Sequence, residues 1–71
     1  MADTIPINPV RLKKFRGAPL NMTQEMLAKR SGLSRSFISD LESGRRQPRL
    51  LAARSISQAL GVTVEDLCVM D

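Results

Sequence analysis

The sequence contains no histidine, tryptophan or tyrosine, and only one cysteine and two phenylalanines in 71 residues. Without histidine, and with Cys68 alone, no Cys/His cluster can bind a metal, so no metal or other cofactor is predicted. The usual general base and nucleophile–base pairs are also missing, which argues against an enzyme. Two aromatic residues are too few for the base-stacking surfaces of RNA-binding and single-strand-binding proteins.

Long apolar runs are absent as well. No segment approaches the roughly 20 apolar residues of a membrane span, and the N-terminal residues lack the apolar core of a signal peptide. A lone cysteine excludes an internal disulfide and favours a cytoplasmic protein. Cys68 is expected to be a small apolar filler, with a cross-link between two chains as the alternative. The length allows one small domain with a marginal core. The sequence predicts no pocket for a small-molecule ligand.

The charge that is present is unevenly distributed. Residues 1–54 contain all 11 basic residues and four acidic ones, a net charge of +7. Residues 55–71 contain no basic residue and three acidic ones, a net charge of −3. One-sided basic charge on a small domain is typical of a protein that binds a polyanion, although a solvated surface could carry the same charge.

Capping residues and glycines divide the chain into five predicted helices. Four of them are expected to begin after Asn8, Thr23, Ser34 and Thr63, and the remaining one near Pro48 or Arg49. The first four are expected to end at Gly17, Gly32, Gly44 and Gly61. No stretch shows sustained apolar–polar alternation, so the sequence predicts an all-α fold without strands. Residues 1–7 are expected to form a flexible arm ahead of a domain at 8–71.

Two short helices joined by Ser31-Gly32-Leu33 occupy the stretch from Thr23 to Ser43, which is a helix-turn-helix pattern. Ala28 is small enough for the two helices to cross closely, and Gly32 suits the left-handed turn between them. The apolar positions of the second helix face the first helix. Its remaining side chains are short or basic, so it could enter a DNA major groove. These outward residues are Arg35, Ser36, Ser39, Asp40 and Ser43.

The segments "TQEMLAKRSGLSRSFISDLESGRRQP" and "ALGVTVEDL" resemble the lambda-repressor-like, Cro/CI-type (XRE) DNA-binding domains. The resemblance covers nearly the whole chain. It implies a compact five-helix domain in which helix 3 of the helix-turn-helix enters the major groove. It also implies a sequence-specific regulator, expected to be a repressor, that binds a palindromic double-stranded DNA operator as a homodimer in a prokaryotic or phage context. The alternative is a protein-interaction module or antitoxin-type partner binder with the same fold.

The resemblance also assigns roles to individual residues. Base readout is expected from Arg35, Ser36, Ser39 and Asp40. Phosphate contacts are expected from Thr23, Gln24, Ser34, Arg45, Arg46 and Gln47. A structural ion pair is expected between Arg16 and Glu42, and a dimer interface from Val64, Leu67, Val69 and Met70. General chemistry supports the DNA contacts, because helix N-termini attract phosphates and an arginine can donate two hydrogen bonds to guanine.

Several positions remain open at the level of sequence. Asp40 could accept a bond from cytosine, hold Arg35 or Arg45, or point away from DNA. Phe37 could pack over helix 2 or contact a thymine methyl or a deoxyribose. Glu42 could be exposed rather than paired, since the loop "GAPLNM" is slightly long for the family. In helix 4, a small residue and an arginine replace two large apolar residues, which predicts a smaller core or a surface arginine; these are Ala53 and Arg54.

Overall fold

The computed structural model describes residues 3–70 and contains five α-helices in that range. They are α1 (Pro9–Arg16), α2 (Gln24–Ser31), α3 (Arg35–Ser43), α4 (Leu50–Leu60) and α5 (Val64–Cys68). The predicted all-α, five-helix architecture is confirmed, with only an isolated bridge between Thr4 and Arg49 outside the helices of the described range. No helix within residues 3–70 has the length and apolar character needed to cross a bilayer.

Local side-chain chemistry sets the helix starts. The side chains of the residues before α1, α2, α3 and α5 each accept a hydrogen bond from a backbone N–H of the first turn; they are Asn8, Thr23, Ser34 and Thr63. These bonds satisfy donors that a helix start otherwise leaves unpaired. The turn between α2 and α3 requires Gly32 in the left-handed region, with φ of 72°, a conformation costly for residues with a Cβ atom.

The core is formed jointly by all five helices, with α2 packed on α3 and α4, and α1 packed on α3 and α5. Its fully buried side chains come from α1, α2, α3, α4 and α5 and from the segment before α1; they include Leu12, Leu27, Ile38, Leu41, Ile56, Leu67 and Ile7. In α4, Ala53 is buried and Arg54 lies at the surface, so the small residue accounts for the modest core and the arginine avoids burial. Cys68 packs against the core edge as a small apolar side chain.

The N-terminal segment differs from the flexible arm expected at residues 1–7. The side chain of Ile7 has 0% exposure and belongs to the core. The N–H of Ile5 donates to the carbonyl oxygen of Pro48 at 2.7 Å, and Thr4 pairs with Arg49 in an antiparallel bridge. The predicted boundary at residue 8 is therefore too late, because apolar burial and backbone pairing attach residues 4–7 to the domain. Residues 1, 2 and 71 lie outside the described range.

The α5 region is attached to α1 through Asn8. The backbone N–H of Asn8 donates to the carbonyl of Leu67 at 2.7 Å, and its amide Nδ2 donates to that of Val69 at 3.0 Å. The prediction of Leu67 as a dimer-interface residue is wrong, because its side chain has 0% exposure within its own domain. Val69 and Met70 are exposed, and Val64 is half-buried.

The start of α5 gives a pH-dependent prediction. The Thr63 backbone N–H, followed by its hydroxyl, lowers the pKa of Asp66 below its ordinary value. Because the folded-state pKa is depressed, this stabilisation is present above the unfolded pKa of about 3.9 and is lost as pH falls through the lowered value. Asp66→Asn is expected to lower the melting temperature at neutral pH by a few degrees, and the difference from wild type should narrow in acid.

Thermal unfolding, followed by circular dichroism from neutral pH to strong acid, measures the difference in melting temperature between Asp66→Asn and wild type. Glu65→Gln is the matched control, since Glu65 is an exposed neighbour outside the capping box. A gap between Asp66→Asn and wild type that stays constant from neutral pH to strong acid would contradict the prediction.

Candidate nucleic-acid interface

Helix α3 presents one polar face to solvent. Its apolar side, Ile38 and Leu41, is fully buried against the core. Opposite that side, a surface depression is lined by Gln24 from α2 and by four residues of α3: Arg35, Ser36, Ser39 and Asp40. The structure thus brings together on one surface the four residues that the sequence assigned to base readout.

The orientation of α3 is fixed by its junction with α2. The backbone N–H of Leu33 donates to the carbonyl of Ala28 at 3.0 Å, which closes the turn after Gly32. Ala28 is buried at the crossing, where its small side chain allows the two helices to approach. Next to this junction, the starts of α2 and α3 expose a second depression lined by Arg16, Thr23, Gln24, Glu25 and Arg35.

A buried ionic network lies directly beneath this surface. Arg16 donates to both carboxylate oxygens of Glu42, from Nε at 2.7 Å and from Nη2 at 2.9 Å. Its Nη1 donates to the carbonyl of Met22 at 2.8 Å, which ties the loop before α2 to the same pair. Glu42 is 4% exposed, so the two-point contact compensates the removal of its charge from water.

Gln24 joins this network to the surface. Its Nε2 donates to Oε1 of Glu42 at 3.1 Å, and a carboxylate can only accept, so the amide nitrogen must face Glu42. The amide oxygen of Gln24 is therefore directed away from that carboxylate. Gln24 braces the start of α2 against α3 while it lines the depression beside Arg35.

Asp40 faces the basic loop that follows α3. Its carboxylate oxygens lie 3.9 Å from Nη1 of Arg45 and 3.7 Å from Nε of Arg46. Arg45 is one of the two partners expected from the sequence, whereas Arg46 was not anticipated. Arg46 also lies over the ring of Phe37, with its guanidinium carbon 5.5 Å from the ring centroid, and Phe37 itself packs against the core. An acidic residue on this face thus has a local partner in the arginines.

Apart from Gln24, the predicted phosphate-contacting residues fall into three groups. Thr23 and Ser34 cap their helices through their side-chain oxygens, which leaves each hydroxyl proton free for another acceptor. The side chains of Arg45 and Arg46 are 79% and 59% exposed. Gln47 is different: its Oε1 accepts the backbone N–H of Ile7 at 3.0 Å, a structural role that the sequence did not reveal.

The chain matches a protein-family model and related sequences over most of its length. The helix-turn-helix family model HTH_3 matches residues 12–67. An uncharacterized HTH-type transcriptional regulator from Archaeoglobus fulgidus is 44% identical over 61 residues, which cover 86% of this chain and 84% of the relative.

Solved structures show the same arrangement. The restriction-modification controller protein C.AhdI from Aeromonas hydrophila has a TM-score of 0.78 at 34% identity, over 83% of this chain and 88% of that one. SinR, the master regulator for biofilm formation, solved in complex with DNA, also has a TM-score of 0.78 and covers 84% of this chain and 98% of its own. Its 24% identity shows a shared fold alone. From the family match and these relatives, the chain belongs to the XRE-type helix-turn-helix family of DNA-binding transcriptional regulators.

Proposed function

We propose that this chain is a sequence-specific transcriptional repressor that inserts α3 into the DNA major groove and binds a palindromic operator as a homodimer. The observation that carries the proposal is the polar face of α3, which lies open to solvent while a buried ionic network fixes the helix from below. A rigid helix with short polar side chains and one exposed arginine matches what a major groove accommodates.

Base readout is assigned to three of the four residues of this face, and a role in orienting the neighbouring arginines to the fourth. Arg35 is exposed at the first turn of α3, where its guanidinium can donate to O6 and N7 of guanine. The short side chains of Ser36 and Ser39 allow the helix to approach the base edges closely. Asp40, beside Arg45 and Arg46, acts mainly by orienting those arginines at the edge of the groove.

Phosphate contacts are assigned to groups that surround α3. The starts of α2 and α3 supply helix-terminal N–H groups together with Thr23, Gln24 and Ser34. The loop after Gly44 supplies the exposed guanidinium groups of Arg45 and Arg46. The match to the helix-turn-helix family model and the relative described as an HTH-type transcriptional regulator support DNA as the partner.

The dimer is assigned to the α5 end of the domain through Val64, Val69 and Met70, and Leu67 is left out because it is buried. A palindromic operator requires the two α3 helices to lie about one helical turn, roughly 34–36 Å, apart, which is comparable with the longest dimension of the domain, 35 Å. The acidic residues of 55–71 would keep this end away from the phosphates.

Selection of binding sites from random double-stranded DNA tests the proposal directly. We expect an enriched sequence with two inverted half-sites separated by about one helical turn. Binding to the enriched duplex should weaken linearly in log salt, with a slope set by the number of phosphates neutralised. Failure to enrich any sequence, together with salt-independent binding, would show that the chain is not a sequence-specific DNA-binding protein.

Met70→Asp tests the dimer interface. Met70 is 60% exposed at the α5 end, and a carboxylate buried between two copies would lack a partner, so dimers should dissociate at tens of micromolar chain. Analytical ultracentrifugation measures the change. Leu51→Asp is the matched control, because Leu51 is also an exposed apolar residue but lies on α4. Equal loss of dimer in both variants, or in neither, would contradict this interface.

Asp40→Asn tests the assignment of Asp40. The substitution removes one negative charge and frees Arg45 and Arg46, so affinity for a duplex of unrelated sequence should rise by up to about eightfold at 0.1 M salt. Fluorescence anisotropy measures the affinities for the selected and the unrelated duplex. The ratio of the first affinity to the second should fall. Glu65→Gln on α5 is the charge control. If Asp40→Asn instead loses affinity for the selected duplex while its affinity for the unrelated duplex is unchanged, Asp40 contacts a cytosine directly.

A further inference from the structure

We propose that the N-terminal segment, residues 3–8, is a positioning element for DNA binding. It holds the loop between α3 and α4, residues 45–49, in the conformation in which Arg45 and Arg46 reach phosphates. The inference rests on the proposed function, since it assumes that this loop contacts DNA. It assigns a role to a segment that is not among the residues assigned above to base or phosphate contacts.

Three successive loop residues are each held by the N-terminal segment. The Ile7 N–H donates to Oε1 of Gln47 at 3.0 Å, and the Ile5 N–H donates to the carbonyl of Pro48 at 2.7 Å. The next loop residue, Arg49, pairs with Thr4 in an antiparallel bridge. The segment therefore runs antiparallel to the second half of the loop and is paired with it through these contacts.

The segment is itself anchored in the core. Ile7 is fully buried, Ile5 is half-buried against the core, and Pro48 on the loop side is also fully buried. At the other end of the loop, the N–H of Arg45 donates to the carbonyl of Asp40 at 3.0 Å. The loop is thus fixed to α3 at its start and to the N-terminal segment at its end.

This attachment matters for the exposed arginines between the two ends. A loop that is already ordered loses less conformational entropy when its side chains bind than a mobile loop does. Arg45 and Arg46 lie immediately before the residues that the segment holds, so their backbone positions relative to α3 depend on it. Without the segment, the same arginines would have to be ordered at the moment of binding.

The negative charge of the N-terminal segment distinguishes a positioning role from a simple electrostatic effect. Within residues 3–8 the charged side chain is Asp3, which is negative and exposed. Removal of this charge alone would strengthen attraction to DNA. A positioning role predicts the opposite change, weaker DNA binding, because removal of the segment releases the loop.

The test is a deletion of residues 2–5, which joins Met1 to Pro6 and leaves Ile7 in place. At 0.1 M salt, affinity for the selected duplex should fall by about eightfold for each bound chain, the equivalent of one phosphate contact per chain, and the salt slope should decrease by about 0.9 per chain. One control accompanies it: Asp3→Asn, which removes the charge that the deletion also removes but keeps the segment, should bind slightly more tightly than wild type.

A second variant and a double-mutant cycle keep the result interpretable if the deletion folds poorly. Ile5→Pro removes the backbone N–H that donates to the Pro48 carbonyl but does not shorten the chain. Like the deletion, it should weaken binding. With Arg45 and Arg46 both replaced by alanine, the deletion should have no further effect, since it acts through those side chains. Binding is measured at a temperature at which circular dichroism shows each variant to be folded.

The outcomes separate the two proposals. Unchanged or tighter binding by the deletion and by Ile5→Pro, or an undiminished effect in the arginine-to-alanine background, would overturn the positioning role while leaving the proposed function intact. If the intact chain selects no sequence and binds without salt dependence, both fall together.

Discussion

Replacement of Glu42 with glutamine is expected to lower the free energy of unfolding by about 3–5 kcal/mol, the range for a buried ion pair that loses one partner. The reason is geometric: Glu42 accepts two bonds from Arg16 and one from Gln24 at a site almost closed to water. The glutamine amide has a single acceptor oxygen and an NH2 group in place of the second oxygen. The Arg16 guanidinium would therefore keep its desolvation cost and lose its counter-charge.

Thermal and urea unfolding measure this loss. In a domain of this size each kcal/mol corresponds to about 4–8 °C, so the melting temperature should fall by more than about 10 °C. Glu25→Gln is the matched control, because Glu25 is an exposed glutamate on the neighbouring helix, and it should change the melting temperature very little. Equal stability of the Glu42→Gln and Glu25→Gln variants would show that the network does not hold α1, α2 and α3 together.

Replacement of Arg35 with alanine is expected to weaken binding by about 5- to 150-fold for each half-site of the selected operator, the equivalent of one bidentate arginine–guanine contact of 1–3 kcal/mol per protomer. Arg35 is exposed at the start of α3, beside Ser36 and Ser39, so its truncation leaves no cavity in the core. Discrimination at one base pair of each half-site should be lost, while the remaining positions stay specified.

Arg54→Ala supplies the control for charge. Arg54 is exposed on α4, away from the residues that line the α3 depression, and its removal lowers the net charge by the same amount. Competition binding with duplexes that vary one position at a time measures both affinity and specificity. If the two arginine variants lose the same affinity and neither changes base preference, Arg35 acts as a general charge and does not read a base.

The helices could be predicted from sequence because their boundaries depend on neighbouring residues. A capping side chain and the amide it accepts are two or three positions apart, as with Ser34 and Phe37, and Gly32 adopts its left-handed turn without distant contacts. The N-terminal segment depends on partners about 40 residues away. Nothing near Ile5 or Ile7 in the sequence marks Gln47 and Pro48 as those partners, so an arm was expected where the structure has an attached segment.

The candidate site shows the same division. The outward face of α3 follows from helical periodicity once Ile38 and Leu41 are assigned to the core. Periodicity could not determine which charges pair across the fold. The family resemblance assigned Leu67 to a dimer interface, whereas its side chain is buried within its own domain. The turn of chain after Gly44 decides that Asp40 meets Arg46 as well as Arg45, and no local pattern encodes that direction.

The hydrogen bond from Asn8 to the carbonyl of Val69 has a thermodynamic consequence for assembly. It restricts the backbone at the α5 end in the single domain, before any second copy is present. The entropy lost in ordering that backbone is then part of the folding equilibrium and does not oppose association. Two such domains could meet as nearly rigid bodies, so dimer affinity should respond to the exposed side chains at this end far more than to chain flexibility.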